Sequence, residues 1–399
     1  MKKGWELKKI GDVCEIGDGN HGGNYPKKSD MRDFGVPFIR SVNLLNGEVS
    51  SEDIKYISEE KHKSLNKGHL KTGDVLFTNR GDIGKCAIVG SAFDDANLNS
   101  QIAFFRCSSS LYNRYLYYFL QSPSLQNHLF TTKTGAALQQ FPIGLIVKIE
   151  ISIPSLPEQQ RIVSVLDEAF ASIAQAKSNA ERNLVNAREL FEIFAQSIFE
   201  NKGEGWDENK LNEVCELKSG TTISTSLERN KGDVLYTKIA DMNLPENLVE
   251  IHTSSRFVNR DEINQNQIIP EGAIIFPKRG GAIATNKKRK IIKPTIVDLN
   301  TMAIIPSKKI DKDFLFYWFQ LFDLKDISNG ANIPQINNYS FDEIYIPYPK
   351  SLAEQRAIVR RLGALSAETG RLEEIYQQKI ESLEELKKSV LQKAFRGEL

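Results

Sequence analysis

The sequence predicts an α+β fold: two similar mixed α/β globules separated by two long helices that pair as an antiparallel coiled coil. Three features predict it: a heptad seam free of helix breakers, a second seam at the end of the chain, and a duplicated sequence. From Glu158 to Lys202 the chain holds neither Gly nor Pro, either of which weakens or breaks a helix. Within that stretch Leu166, Phe170, Ile173, Lys177, Ala180, Leu184, Ala187, Phe191, Phe194 and Ile198 follow one another at steps of four and three, and all but Lys177 are apolar. Such a seam asks for a partner helix. At 1.5 Å per residue it is roughly 50 Å long, more than a core helix in a domain of this size needs.

The partner is in the same chain. Leu352-Ala353-Glu354-Gln355-Arg356-Ala357-Ile358-Val359 is close to Leu156-Pro157-Glu158-Gln159-Gln160-Arg161-Ile162-Val163, and a second seam runs through Tyr376, Ile380, Leu383, Val390 and Ala394 with one polar step at Lys387. Gly363 and Gly370 are expected to interrupt its start. The competing arrangement packs each amphipathic helix on its own globule.

Taken in order, the first 200 residues are echoed by the second 200. Gly4-Trp5, Val13-Cys14-Glu15 and Gly19 match Gly205-Trp206, Val214-Cys215-Glu216 and Gly220 at identical spacing. Gly73-Asp74-Val75-Leu76-Phe77 with Arg80-Gly81 matches Gly272-Ala273-Ile274-Ile275-Phe276 with Arg279-Gly280, and Thr134-Gly135-Ala136 matches Asn329-Gly330-Ala331. This period is far beyond that of solenoid repeats, so it marks a duplicated domain. The expected organisation is a first globule over 1–155, a central helix over 156–202, a second globule over 203–350 and a C-terminal helix over 351–399. Within the globules, residues 36–40, 74–77 and 146–153 read as strands between Gly, Asn and Asp turns. Residues 112–121 and 312–322 read as aromatic-rich helices that plug the core. Two similar heads on one helical rod suit a ligand with two sites at fixed separation, and duplex DNA is such a ligand.

Composition narrows the function. The chain is 40% hydrophobic and 26% charged, as in an ordinary soluble protein. Its net charge of +1 divides as +3 over 1–150, −3 over 151–200, zero over 201–350 and +1 over 351–399, so polyanion contacts must come from local patches. No stretch approaches 18 apolar residues and the N-terminus lacks the apolar run of a signal peptide; a cytoplasmic protein without a membrane anchor is expected. The four cysteines form no CxxC pair, Cys14 and Cys215 read as buried core, and the five histidines show no ligand spacing, so no metal is expected. There is no phosphate-binding Gly-rich loop, no Asn-Pro-Pro-Tyr or Asp-Pro-Pro-Tyr run and no paired acidic cluster, which favours an adaptor over a catalyst.

The two Glu-Gln helix starts at Ile153 to Val163 and Leu352 to Val359, the ending Ser389 to Leu399, and the paired Gly-Trp and Arg-Gly motifs together resemble the DNA-specificity (S) subunits of type I restriction-modification enzymes. The resemblance covers essentially the whole chain. It implies two target-recognition domains that each read one half of a split, asymmetric site on double-stranded DNA. It implies helices that act as a ruler for the spacer and dock two methyltransferase (M) subunits, through which restriction (R) subunits join. S-adenosylmethionine would be bound by the methyltransferase partner, with no cofactor in this chain.

The repeat filters the candidate DNA contacts, because shared residues suit framework or phosphate roles and unlike residues suit base reading. The basic candidates are Lys27, Arg40, Arg80, Lys85 and Lys133 in the first half, and Lys238, Lys278, Arg279, Lys287, Lys288 and Arg289 in the second. Arg80 and Arg279 are equivalent, as are Arg40 and Lys238; each suits a phosphate contact or a structural ion pair. The run from Lys287 to Lys290 reads as a hairpin tip. Asn20 and Asn24 lie in a polar loop without close counterpart in the second half. The amides Gln139, Gln140, Asn332, Gln335 and Asn337 follow the shared Gly-Ala turns, where they either pair with adenine or cap turns. Two other readings compete: a self-contained DNA-modifying enzyme, and a coiled-coil scaffold with protein-binding heads.

Overall fold

In the computed structural model, residues 2–132, 139–330 and 332–399 are described. The chain forms two compact units: Met1–Glu181 with Gln378–Leu399, and Arg182–Gln377. These divisions fall inside the long helices and not at the helix ends expected from sequence.

In the first unit, strand Glu6–Lys9 pairs antiparallel with Glu150–Ile153. A six-stranded sheet follows in the order Cys14–Asp18, Ile102–Cys107, Val75–Thr78, Cys86–Ile88, Gly47–Val49 and Leu44–Leu45. A three-stranded sheet has Val36–Ile39 between Lys55–Ile57 and Asn97–Leu98. Helix Asn113–Leu120 buries Tyr115 and Leu116 completely in the core with Val75, Phe77 and Phe105.

The second unit repeats this plan by itself. Trp206–Lys210 pairs with Tyr345–Pro349, and a five-stranded sheet runs Cys215–Ser219, Thr301–Pro306, Ile274–Pro277, Arg289–Ile291 and Glu250–Ile251. Val234–Thr237 lies between Phe257–Val258 and Thr295–Val297, and helix Lys312–Gln320 buries Phe314, Leu315 and Phe319. Local geometry repeats as well. Gly73 (φ +90) and Gly272 (φ +89) adopt the left-handed turn that L side chains avoid. Each donates its N–H across the sheet, to Val89 and Ile291 respectively, at 2.8 Å.

One strand expectation fails in part. Over 146–153 only Glu150–Ile153 is extended, because Ile143–Ile146 closes a helical turn with the Pro142 carbonyl. Cys14 and Cys215 are buried as expected.

Both long helices have 45 residues, Leu156–Glu200 and Leu352–Arg396. The second passes through Gly363 and Gly370 without a break, so the expected interruption does not occur. A helical glycine costs only about 1 kcal/mol, which packing along 45 residues outweighs. In the first unit the helices run antiparallel: Arg161 donates to the Leu399 carbonyl at 2.8 Å, and Lys177 pairs with Glu384. Ile162, Leu166 and Phe170 share a core with Val390, Leu391 and Ala394, and Lys387 sits 5.2 Å over the Phe170 ring. In the second unit they are again antiparallel, with Arg188 2.7 Å from Glu373 and Arg361 over the Phe194 ring. There Phe191, Phe194, Ala195, Ile198 and Phe199 join Ile358 and Leu362 in the core. None of the ten positions of the central seam is exposed, and Tyr376, Ile380, Leu383 and Val390 are half-buried. Within each unit the helices pack against each other and against the globule, so the two arrangements weighed from sequence occur together. No described helix is long and apolar enough to cross a membrane.

Candidate nucleic-acid interface

The same corner is built in each unit. In the first, strand Val75–Thr78 ends, Asn79 donates to Gln101 and accepts from Phe141, and Arg80 then forms a backbone bridge with Gln140. Gly81 donates to the Gln139 carbonyl at 2.9 Å. In the second, strand Ile274–Pro277 ends, Lys278 donates to Asn300 and accepts from Ile336, and Arg279 bridges Gln335. Gly280 donates to the Pro334 carbonyl at 2.8 Å. The structure thus brings Arg80 together with Gln139 and Gln140, and Arg279 together with Gln335, by identical backbone pairing.

The chemistry of these corners suits an anion. Arg279 is exposed and has no ion-pair partner among the described residues. Lys278 beside it donates to Ser219 Oγ at 2.9 Å, and its pKa is lowered first by burial and then by the Arg279 charge. Arg80 is half-buried, with Nη1 3.4 Å from His21 Nδ1. Gln139 and Asn332 are exposed, and Asn337 donates to the Tyr339 hydroxyl at 3.0 Å.

Other candidates are occupied elsewhere. Arg40 pairs with Asp53 at 2.9 Å, and with Lys55 it lowers the Asp53 pKa; Lys238 pairs with Glu228 at 3.1 Å. Lys85 pairs with Asp82. Lys133 lies outside the described residues. Asn20 does not present its amide to solvent as expected. It is buried, donating to the Lys67 carbonyl at 2.6 Å and accepting from Asn66 N. Asn24 is exposed but donates to the Ser64 carbonyl at 2.7 Å, while Lys27 is exposed.

The basic run of the second unit is a further correction. It is not a solvated hairpin tip, because Arg289–Ile291 is an interior strand between Ile274–Pro277 and Glu250–Ile251. Lys288 is 1% exposed and Arg289 is buried. The Lys288 ammonium reaches Asn286 Oδ1 at 3.1 Å and the Gln320 and Phe322 carbonyls, supplying donors where helix Lys312–Gln320 ends. Burial pushes its pKa down to about 8. Arg289 donates to the Lys288 carbonyl, and Lys287 to Asn243. Lys290 pairs with both Glu250 and Asp313.

Two features escape the sequence reading. Gln159 and Gln355, each the fourth residue of its helix, are fully buried. Gln159 Oε1 accepts from Tyr112 N at 2.8 Å, and Nε2 donates to the Ser110 and Pro154 carbonyls, both at 2.9 Å. Gln355 repeats this with Asp311 N, Lys309 and Pro349 at 2.7, 2.9 and 2.8 Å. Each glutamine clamps a helix start to its globule, and the signal was its recurrence in both Glu-Gln motifs. The second feature is a cluster of His62, His69 and Asp95, which sequence spacing did not suggest because folding alone brings them together.

Comparison with known proteins follows this geometry. The family model described as "Type I restriction modification DNA specificity domain" matches residues 2–182 and again 203–382. The MjaIX specificity subunit of Methanocaldococcus jannaschii is 23% identical over 374 residues, covering 88% of this chain and 84% of that protein. The EcoKI specificity subunit of Escherichia coli K12 is 21% identical over 439 residues, covering 100% and 90%. Among solved structures, one from work on complex assembly and conformational transition of the type I R-M system matches with TM-score 0.83 at 18% identity, covering 100% of this chain and 99% of that one. The HsdS subunit of Thermoanaerobacter tengcongensis matches with TM-score 0.65 at 18% identity, over 100% and 98%. These likenesses bear on the fold, while the family model takes in nearly the whole sequence in two copies: the chain belongs to the type I restriction-modification DNA specificity family.

Proposed function

We propose that this chain is the non-catalytic specificity subunit of a type I restriction-modification complex. Each globule reads one half of a bipartite, asymmetric site on double-stranded DNA. The long helices set the spacer and dock two methyltransferase subunits, through which restriction subunits join. The methyltransferase partner binds S-adenosylmethionine and carries out the chemistry. The observation that supports this reading is the repeated corner. Arg80 and Arg279 sit at the same backbone position in two globules of one plan, each bridged to a glutamine. An arginine there suits a phosphate and holds register, while neighbouring amides suit base edges. Beside the bridged glutamine the two corners differ, with Gln139 in one and Pro334 in the other, as two unlike half-sites require.

The test is sequence-selective DNA protection by the chain with and without a co-expressed methyltransferase. Protection of two short blocks at fixed spacing, appearing with the partner, is the expected result. Methylation or cleavage by the chain alone, or no DNA dependence under any condition, overturns the proposal.

A further inference from the structure

We propose that His62, His69 and Asp95 of the first globule form a binding site for a borderline divalent transition ion of the zinc class. His62 lies on helix Glu59–Ser64, and His69 follows it in the segment that bridges Asn97. Asp95 lies in the turn before strand Asn97–Leu98, in a left-handed conformation (φ +57) rare for a residue with a side chain. Its N–H is held by the Leu70 carbonyl at 2.9 Å. The donor atoms all lie within 4.8 Å of one another.

The distances fit an ion better than direct hydrogen bonds. His62 Nε2 is 3.3 Å from Asp95 Oδ2, and His69 Nδ1 is 3.6 Å from Asp95 Oδ1. Both exceed the usual 2.7–3.2 Å of an N–H···O bond. With metal–ligand bonds of about 2.0–2.2 Å, the edge of a tetrahedral site is about 3.4 Å. Proton placement agrees. His69 Nε2 is 2.8 Å from the Leu65 carbonyl, which only accepts, so that nitrogen carries the proton. With Nε2 donating to Leu65, Nδ1 faces the Asp95 carboxylate across 3.6 Å, a separation that an ion ligated by both atoms spans. The bond to Leu65 also orients the ring, as an outer partner orients a metal-binding histidine. His62 is 6% exposed, its Nδ1 has no hydrogen-bond partner, and its ring packs edge-on against that of His69 with centroids 4.4 Å apart. Two imidazoles and one carboxylate favour zinc-like ions over magnesium or calcium. Asp95 faces solvent, leaving room for water in a fourth position.

The ion would tie together the segment from His62 to His69. That same segment anchors the polar loop, through Asn20 to Lys67 and Asn66, and Asn24 to Ser64. The second globule contains a single histidine, His252, so the site belongs to the first globule alone.

The full chain, stripped with chelator, is dialysed against zinc alone and titrated with cobalt(II), whose visible spectrum reports tetrahedral nitrogen and oxygen ligation. One ion per chain is expected. His69→Ala and Asp95→Asn, both at partly exposed positions, should each weaken binding about tenfold or more with the circular dichroism unchanged. His21→Ala, His252→Ala and Cys107→Ser should bind as the unsubstituted chain does. Absence of stoichiometric binding, or equal binding by His69→Ala and Asp95→Asn, overturns the site.

Discussion

Replacing Gln159 with leucine keeps the side chain's approximate size and removes its three hydrogen bonds. Two of the groups it leaves, the partly buried Tyr112 N–H and the buried Pro154 carbonyl, sit where the helix start meets the globule. A buried polar group stripped of its partner costs about 1–3 kcal/mol, so the loss should be about 3 kcal/mol or more. The assay is urea unfolding of the full chain followed by tryptophan fluorescence. Trp5 is the only tryptophan of the first unit, so a chain carrying Trp206→Phe and Trp318→Phe reports that unit alone. With slopes of about 1–3 kcal/mol per molar urea, its midpoint should fall by roughly 1 M or more. Gln355→Leu should move the second unit's transition and spare the first. Gln160→Leu, one residue on and exposed, should do nothing. A loss below about 0.5 kcal/mol for Gln159→Leu would refute the clamp and show that apolar packing alone seats the helix.

Further outcomes are expected. Arg80→Ala and Arg279→Ala should each weaken DNA binding by the partnered chain alike on all sequences, and lower the salt slope by about one, measured by anisotropy over a salt series. Gln140→Ala should instead relax preference at one position of one half-site, by about 1–3 kcal/mol in competition binding. The Lys288 pKa lies below its unfolded value, so its charged form opposes folding at pH below about 8. The native state therefore binds fewer protons between about 8 and 10.5, and second-unit stability should rise with pH across that window relative to Lys288→Met. Equal slopes for the two chains would reject this. Gly370→Ala should stabilise the second unit by about 0.5–1 kcal/mol in thermal unfolding, because an added Cβ meets nothing within 4 Å.

Periodicity made the helices legible, since ten positions at steps of four and three leave little freedom in which face is covered. The polar steps were less legible. Lys177 finds Glu384 and Lys387 finds the Phe170 ring, both across the helix pair, so their partners are set by tertiary register. The duplication made the Arg80 and Arg279 corners legible as equivalents. What failed was reading charge as exposure. The Lys287 to Lys290 run looks like a tip in one dimension, yet a five-stranded sheet needs an inner strand there and a helix end needs donors. Asn20 failed for a related reason: its polar loop is fastened to a segment nearly 50 residues away, invisible to local pattern.

The two globules share a framework and differ in the side chains set on it. Contacts that recur, namely the glutamine clamps, the Gly73 and Gly272 turns and the arginine–glutamine bridges, are backbone-directed and indifferent to ligand sequence. A reader of two unlike half-sites must differ where its side chains retain unspent donors and acceptors. Gln139 against Pro334 meets that condition at one position of the bridge: both present a carbonyl to the following glycine, but only Gln139 offers an amide. Exchanging the pair, Gln139→Pro with Pro334→Gln, keeps those carbonyls and moves the amide from one globule to the other. If the corner reads bases, base preference should change in both half-sites while the spacing between them stays as it was. A change in spacing with unaltered half-sites would place the corner among framework elements and send the search for the reader to the polar loop around Asn24.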